Sequence, residues 1–266
     1  MLNYLYLDYG GREKYRRELK FSLIGLLAGL DRSAARIVIH TDAPEIYAKW
    51  PVTVRDISGR LSEMSGGGAY WHRVKPAVVL DALRHFGEPV CFLDSDSIIA
   101  PEFHAELARK MAAAVVMNGL EKNDPWPNLA GFATTLPHLG RYAYAGAQSV
   151  MNNSGLIGVA PEHIPLLEDT LALIDALIGG AKKIPTLEQF ALSEVLRLNK
   201  TPVTHIRERF FHYWQGRKRI YMAGQIAKKL SPDWNDLTPP REKVEMNYWK
   251  IRAYNYYHPI AKLFAR

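Results

Sequence analysis

Short apolar stretches alternate with helical patterns along most of the chain, and this alternation is the feature that most restricts the fold. The stretches with strand character are residues 3–7, 36–40, 52–57, 89–93, 113–117, 151–159 and 203–206. Apolar residues recur at helical spacing in the stretches 14–29, 71–86, 101–111, 161–178 and 186–199. Strands that alternate with helices form βαβ units with right-handed crossovers. The pattern therefore predicts an α/β fold in which helices flank a mostly parallel central sheet.

The composition is that of a globular protein with a sizeable core. Of 266 residues, 48% are hydrophobic and 23% are charged, which excludes a disordered, collagen-like or coiled-coil chain. The single cysteine, Cys91, excludes an intramolecular disulfide, fits a reducing compartment, and is expected to pack inside a buried strand. The first ten residues do not resemble a secretory signal, and the longest apolar run, 21–30, is about half of a membrane span. We therefore expect a cytoplasmic protein.

The formal charge of +7 is unevenly distributed. Residues 1–206 contain 21 Lys or Arg and 22 Asp or Glu, whereas residues 207–266 contain 13 and 5. The positive excess is therefore confined to the C-terminal part. A nucleic-acid-binding domain more often spreads its positive charge over the folded body. The distribution favours phosphate-bearing substrates or an anionic membrane surface, and we expect no nucleic-acid partner.

Asp94-Ser95-Asp96 follows the most apolar strand, residues 89–93, and is the most informative stretch of the chain. Ligands of such sheets sit beyond the carboxyl ends of the strands, and Asp8 and His40-Thr41-Asp42 also follow strands. Residues two apart in extended backbone point to the same side, so the two carboxylates repel each other unless a cation lies between them. Hard oxygen ligands suit Mg²⁺ or Mn²⁺, which can hold a diphosphate. The alternative is a loop pair that caps the helix near Pro101.

Further motifs follow one another in a recognisable order. They are YWHRVKP at 70–76, DSD at 94–96, NNSG at 152–155, LEQFAL at 187–192 and FHYWQGRK at 211–218. In order and spacing, over about residues 1–220, they resemble glycosyltransferases of the GT-A fold, which use nucleotide sugars. The closest resemblance is to family 8, the glycogenin and bacterial galactosyltransferase group. Glu188 departs from that family, because Asp is usual there. The resemblance implies a Rossmann-like sheet.

The resemblance also implies roles for individual residues. The implied metal ligands are Asp94, Asp96 and His212. The implied contacts with the donor nucleotide sugar are Asp8, Arg73, Lys75, Asp94, Asn153, Gly155, Gly216 and Lys218. The implied residues around the reacting sugar carbon are Gln189, Glu188 and Asn153.

Each of these residues also has a structural explanation. His212 lies among aromatic residues and could belong to a core cluster, and the cations 217–219 could form a solvated face. Glu188 near a helix start suits the helix dipole without any function. Asn153-Ser154-Gly155 could be a bulge that lets backbones approach closely.

Two segments suggest further contacts. Trp126, Tyr142 and Tyr144 lie in the stretch 119–150, which is rich in Pro and Gly and is predicted to be an irregular loop that binds the acceptor sugar. Residues 246–266 combine aromatic residues with four Lys or Arg and no acid, a composition typical of membrane interfaces. A C-terminal helix packed on the domain is the alternative for this segment.

The sequence thus leads to one expectation and two alternatives. We expect a catalytic domain over 1–220, with a basic aromatic extension over 221–266 packed on or next to it. The expected activity is metal-dependent transfer of a hexose from a nucleotide diphosphate sugar, a UDP-sugar by analogy, to a glycan or lipid-linked glycan acceptor. By analogy the transfer retains configuration and serves cell-surface glycan synthesis at the inner face of the membrane. The alternatives are a sugar nucleotidyltransferase and a non-enzymatic basic module that binds membrane or nucleic acid.

Overall fold

A seven-stranded sheet forms the centre of the molecule. The structure is a computed structural model, and it describes residues 1–121, 126–180, 184, 186–241 and 244. The strands of the central sheet are β1 (Leu2–Asp8), β2 (Ala35–Thr41), β3 (Thr53–Asp56), β4 (Val90–Leu93), β6 (Val115–Glu121), β9 (Met151–Val159) and β10 (Val203–His205). Their order is β10-β6-β9-β4-β1-β2-β3, and β9 alone runs antiparallel to its neighbours. The predicted mostly parallel sheet, compatible with a Rossmann-like fold, is therefore confirmed.

Helices cover both faces of this sheet. They are α1 (Glu13–Leu27), α2 (Leu61–Met64), α3 (Val74–Phe86), α4 (Phe103–Met111), α5 (Ile164–Gly179), α6 (Leu187–Leu198) and α7 (Gly216–Lys229). Helices α3, α5 and α6 pack into one apolar core, while α1 and α4 pack into a second core on the opposite face. Strand β9 is buried along its whole length, as a strand covered on both faces must be. Cys91 packs in the second core, as expected.

Two small sheets were not expected from the sequence. Strand β5 (Ser97–Ile99) pairs antiparallel with β11 (Phe210–His212), immediately after the aspartate pair. Strands β7 (Ala133–Leu136) and β8 (Gly140–Ala143) form a hairpin inside the stretch that was predicted to be irregular. Both sheets are made of strands of only three or four residues, too short to produce a clear alternation of apolar and polar side chains.

The C-terminal part of the described chain is packed onto the domain. Helix α7 continues across the expected boundary at residue 220, and its buried residues Met222 and Ile226 cluster with Phe21 and Val244. The expected boundary therefore falls within helix α7. Residues 246–266, for which a membrane contact was expected, lie outside the described residues. Among the described helices, none has the length and apolar character to cross a bilayer.

Candidate metal and phosphate site

A cavity of about 720 Å³ opens at the carboxyl edge of the central sheet. Parallel strands β1, β2, β4 and β6 end there, and antiparallel β9 begins there. Its charged lining consists of six acids and three bases, Asp8, Asp42, Asp94, Asp96, Glu121, Glu188, Arg12, Lys75 and Arg219, and two histidines, His72 and His212, line it as well. This excess of carboxylates disfavours an anionic ligand unless a cation is bound with it.

The aspartate pair lies directly beyond the central strand β4. The backbone N–H of Asp94 donates to the carbonyl of Gly155 on β9 at 2.8 Å, which continues the sheet pairing by one residue. The hydroxyl of Ser97 donates to the carbonyl of Asp94 at 2.8 Å and tightens the turn between the aspartates and β5. Both carboxylates line the cavity, with Asp96 5% exposed as a residue.

Pairing of β5 with β11 brings His212 to the aspartates. His212 is opposite Ser97 in this ladder, and the N–H of Tyr213 donates to the carbonyl of Asp96 at 3.0 Å. The Nε2 of His212 lies 3.1 Å from Oδ1 of Asp96 and 3.5 Å from Oδ2 of Asp94. The ligand atoms of these three residues all lie within 4.8 Å of one another, so the cluster could hold a metal ion.

The hydrogen bonds behind His212 suit metal ligation. Its Nδ1 lies 3.0 Å from the side-chain oxygen of Asn153. The Nδ2 of Asn153 donates to Oε1 of Glu121 at 2.5 Å, and a carboxylate can only accept, so the amide oxygen must face His212. Nδ1 therefore donates its proton to Asn153, and Nε2 is the nitrogen that faces the two carboxylates and would ligate a metal. A ligating histidine is typically oriented in this way by a partner of its other nitrogen.

Gly155 leaves the space that the imidazole ring fills. A Cβ at this position would lie 2.2 Å from Nδ1 of His212 and 2.6 Å from its Cε1. Such distances are far below van der Waals contact, so any side chain here would displace the ring. The glycine, expected as a donor contact, is thus required by the packing of His212 and does not line the cavity.

Two positively charged side chains, Lys75 and Arg219, form salt bridges with the aspartates. The Nζ of Lys75 donates to Oδ2 of Asp94 at 2.9 Å and to the carbonyl of Ser154 at 3.3 Å. Burial lowers the pKa of Lys75, but the charges of Asp94 and Glu188 outweigh burial and hold that pKa above its usual value. Lys75 is therefore a cation in the cavity wall.

Arg219 is the second cation, and it lies between Asp96 and the buried Glu18. One guanidinium nitrogen is 3.0 Å from Oδ2 of Asp96, and Nε donates to Glu18 at 3.0 Å. Burial raises the pKa of Asp96, but the hydrogen bond from His212 and the charges of His212 and Arg219 outweigh it, so the pKa of Asp96 lies below its usual value. Asp96 is therefore a carboxylate at neutral pH.

Gln189 and Glu188 face the cavity from the first turn of α6. Gln189 accepts a hydrogen bond from the N–H of Ser154 at 3.0 Å and donates to Oε2 of Glu121 at 2.9 Å. Glu188 accepts from the hydroxyl of Tyr70 at 2.5 Å. Burial and the charge of Glu188 raise the pKa of Tyr70, which keeps its hydroxyl protonated. The two predicted residues are thus fixed in position by partners on β6, β9 and the turn before α3.

The end of the cavity below β1 and β2 contains two aspartates, Asp8 and Asp42, which differ in their hydrogen bonds. Oδ2 of Asp8 accepts from Tyr47 at 2.7 Å and from Arg16 at 3.0 Å, so much of this carboxylate is used by the protein itself. Asp42 accepts from the N–H of Gly10 through Oδ2. Its Oδ1 is buried and has no hydrogen-bond partner among the described residues. Asp42, the last residue of the His40-Thr41-Asp42 segment, thus keeps one buried carboxylate oxygen without a partner at this end of the cavity.

An aromatic pair forms the rim beside Asp42. The rings of Tyr9 and Trp71 stack with centroids 5.8 Å apart and planes 24° apart, and the Tyr9 hydroxyl donates to the Trp71 carbonyl. Trp71 is half exposed, as is Trp214, which also lines the cavity. Flat, exposed aromatic faces of this kind suit a nucleobase or the apolar face of a sugar.

Several residues that were expected to contact the donor lie outside this cavity. Arg73 forms a two-pronged salt bridge with Asp175 of α5, at 2.7 and 2.9 Å, and does not line the cavity, because the turn before α3 directs it to that helix. Gly216 and Lys218 are also absent from the cavity lining, and the Lys218 ammonium lies over the Phe211 ring. Helix α7 directs Arg219, one position later, into the cavity.

The three aromatic residues that were expected to bind the acceptor do not line this cavity. Tyr142 is fully buried and donates to Glu194 at 2.9 Å, so a sugar cannot reach it. The hydroxyl of Tyr144 accepts from the N–H of Trp126, and both rings pack against the core beside the cavity rather than lining it.

Sequence reasoning missed Glu121, which links Asn153 to Gln189. The residue ends β6, and the strand had been expected to stop at Met117. Gly119 lies at a register shift in the β6–β9 pairing, and this irregularity disguised the last residues of the strand. Polar residues at strand ends mark the site in such sheets. Extension of the predicted strand from Met117 to residue 121 would therefore have identified Glu121 as a site residue.

Comparison with known proteins provides no assignment. The chain matches no protein-family model and no curated protein sequence.

Proposed function

We propose that the protein is a metal-dependent glycosyltransferase of the GT-A type, which transfers a hexose from a UDP-sugar to a hydroxyl of a glycan acceptor. The observation that carries the proposal is the convergence of Asp94, Asp96 and His212 at the carboxyl edge of a Rossmann-like sheet. Two hard carboxylates and one imidazole suit Mn²⁺ or Mg²⁺. Bound there, the cation supplies charge neutralisation for the leaving diphosphate.

The charge of the cavity supports a ligand made of metal and diphosphate together. Carboxylates outnumber cations in the lining, so a free diphosphate would be repelled, whereas a bound divalent cation reverses the local charge. Lys75 and Arg219 pair with Asp94 and Asp96. If these aspartates ligated a metal, the donors of Lys75 and Arg219 that face them would become available to phosphate oxygens, while Arg219 would keep its pairing with Glu18.

The two ends of the cavity suit the two ends of a nucleotide sugar. We assign the nucleobase to the rim formed by Tyr9 and Trp71, next to the unpartnered oxygen of Asp42. We assign the hexose to the region of Asn153, Glu188 and Gln189, on the opposite side of the aspartates along the sheet edge. These residues offer amide and carboxylate groups for sugar hydroxyls.

The proposed reaction transfers the hexose from phosphate to the acceptor oxygen. The acceptor hydroxyl forms a bond to C1 of the hexose, and the bond between C1 and the phosphate oxygen breaks, with its electron pair leaving on the nucleoside diphosphate. The acceptor proton passes to the departing phosphate, which corresponds to attack from the leaving-group side and to retention. Gln189, held on both sides of its amide, would position the sugar, and Glu188 would place a negative charge near the developing positive charge at C1.

Ligand binding tests the proposal directly. Thermal unfolding is measured with UMP, UDP, ADP, GDP, UDP-glucose, UDP-galactose and GDP-mannose, each with Mn²⁺ and with EDTA. We expect a rise in Tm with UDP and a UDP-sugar in Mn²⁺, and little rise in EDTA. Asp96→Asn should remove the rise, while Asp56→Asn, at an exposed acid outside the cavity, should keep it. Equal stabilisation by UDP in Mn²⁺ and in EDTA would contradict the metal role.

A further inference from the structure

A second cavity, of about 780 Å³, lies next to α1 and shares no lining residue with the first. It is bounded by α1, the turn at 44–49, the end of α7 and the segment 230–235. Arg16 belongs to its lining and also contacts Asp8, so one side-chain layer separates the two cavities. Nothing in the proposed transfer reaction uses this second cavity.

The charge of the second cavity is opposite to that of the first. Its ionisable lining consists of five bases and two acids, Arg16, Arg17, Lys20, Lys49, Lys228, Glu13 and Glu45. Arg16 is paired with Asp8, and Arg17 with Glu13 at 2.6 Å. These two arginines are therefore neutralised within the protein.

The three lysines of this lining differ from the arginines in their contacts and from one another in exposure. Lys20 is buried and donates to the carbonyls of Ser231 and Asp233, at 3.2 and 2.6 Å, so it is held in the wall. Lys49 and Lys228 are exposed and, among the residues that the structure describes, form no salt bridge. Two free ammonium groups from distant parts of the chain thus face one cavity, with Glu45 as the remaining acid.

The wall between these lysines is apolar and well fixed. The ring of Trp234 stacks on Trp50 with centroids 4.8 Å apart and planes 27° apart. Its Nε1 donates to the carbonyl of Ile46 at 2.9 Å. Ile226 and Leu230 continue this wall. An aromatic wall with cations at its edges suits a ligand that has both an anionic group and a less polar part.

We propose that this second cavity binds a phosphate-bearing ligand, with Lys49 and Lys228 contacting the phosphate and Trp234 contacting the rest of the molecule. Ammonium groups are strong partners for phosphate oxygens, and Lys20 in the wall, bonded only to neutral carbonyl oxygens, adds to the positive field. The proposal does not depend on the glycosyltransferase assignment. A free phosphorylated compound and a phospholipid headgroup present the same chemistry, and the experiment distinguishes them.

The test compares two double variants of equal charge. Lys49→Ala/Lys228→Ala removes the two free cations, and Arg109→Ala/Arg141→Ala removes two exposed cations outside both cavities. Binding of inorganic pyrophosphate is measured by titration calorimetry in EDTA, so that the aspartate site contributes no metal. We expect the lysine variant to bind about tenfold or more weakly, and the arginine variant to stay within about twofold of the wild type.

A second arm uses vesicles of phosphatidylcholine alone and of equal parts phosphatidylcholine and phosphatidylglycerol. If the ligand is a lipid headgroup, the lysine variant sediments less with the anionic vesicles than the wild type and the arginine variant do. If the ligand is free, the three proteins sediment alike and only pyrophosphate affinity differs. Equal weakening of binding in both double variants would overturn the proposal. It would show that binding depends on the overall positive charge and not on Lys49 and Lys228. Unchanged binding by the lysine variant in both arms, or no binding by the wild type in either, would overturn it as well.

Discussion

The Nδ1 of His212 and the side-chain oxygen of Asn153 lie 3.0 Å apart, and this hydrogen bond determines which imidazole nitrogen is available to a metal. The amide of Asn153 is oriented in turn by Glu121, whose carboxylate accepts from its Nδ2. Three residues from β11, β9 and β6 thus form one line of hydrogen bonds that ends at the aspartate pair. These bonds orient the imidazole of His212 in a way that is compatible with metal ligation before any metal is bound.

Glu121→Gln should weaken Mn²⁺ binding about tenfold, through the orientation of Asn153. A glutamine offers one acceptor oxygen where the carboxylate offers two, so it cannot accept from both Asn153 and Gln189. Mn²⁺ affinity is measured by calorimetry without nucleotide. Glu188→Gln is the matched control, because it removes the same charge from the cavity without a hydrogen bond to Asn153 or His212. Equal weakening in both variants would mean that charge alone is responsible.

Gly155→Ala should lower Mn²⁺ affinity about tenfold or more by displacing the imidazole ring of His212. The added Cβ would lie 2.2 Å from Nδ1, so the ring must move and lose its hydrogen bond to Asn153. Gly216→Ala is the matched control, since a Cβ there meets nothing within 4 Å. Retention of wild-type affinity in Gly155→Ala would show that His212 is not a ligand.

Arg219→Met should destabilise the fold by about 3 kcal/mol, because it leaves a buried acid without its partner. The side chain of Glu18 is 1% exposed, and the guanidinium of Arg219 donates to both of its oxygens. Burial raises the pKa of Glu18, and Arg219 opposes that rise. Urea unfolding at pH 7 in EDTA measures the loss. The double variant Glu18→Gln/Arg219→Met should recover a large part of the stability, and failure to recover it would indicate that the loss comes from packing.

His40 should make the protein less stable as the pH falls from 7 to 5. Both ring nitrogens are buried without a hydrogen-bond partner among the described residues, and burial lowers the pKa of His40 to about 4. Between pH 6.5 and 4 the unfolded chain binds a proton that the folded protein does not, so stability falls as the pH falls. The contribution lost between pH 7 and 5 is about 2 kcal/mol.

Comparison of urea unfolding at pH 7 and pH 5 in the wild type and in His40→Leu isolates this contribution. The variant lacks the titrating group, so its stability should fall less than that of the wild type over this interval. The same fall in both proteins would show that other groups cause the acid sensitivity. The comparison remains valid if His40→Leu changes the absolute stability, because each protein serves as its own reference at pH 7.

Much of the fold could be predicted from the sequence because its signals are local. The buried strand 90–93 contains four consecutive apolar residues, and the helix after it is marked by Pro101 and by apolar residues at helical spacing. The short strands β5 and β11 could not be predicted, since three residues do not define a period. Their pairing depends on a contact between segments more than a hundred residues apart in sequence.

The same distinction applies to the candidate site. The sequence by itself determined the placement of Asp94 and Asp96 beyond a buried strand, because chain direction and burial follow from a local apolar run. Only the tertiary structure decided which cation enters the cavity, since one step along α7 turns the side chain by about 100° and selects Arg219 over Lys218. It also decided that Glu121 supports Asn153, and that Arg73 serves α5 instead of the cavity. These choices depend on packing between distant elements, which no local pattern encodes.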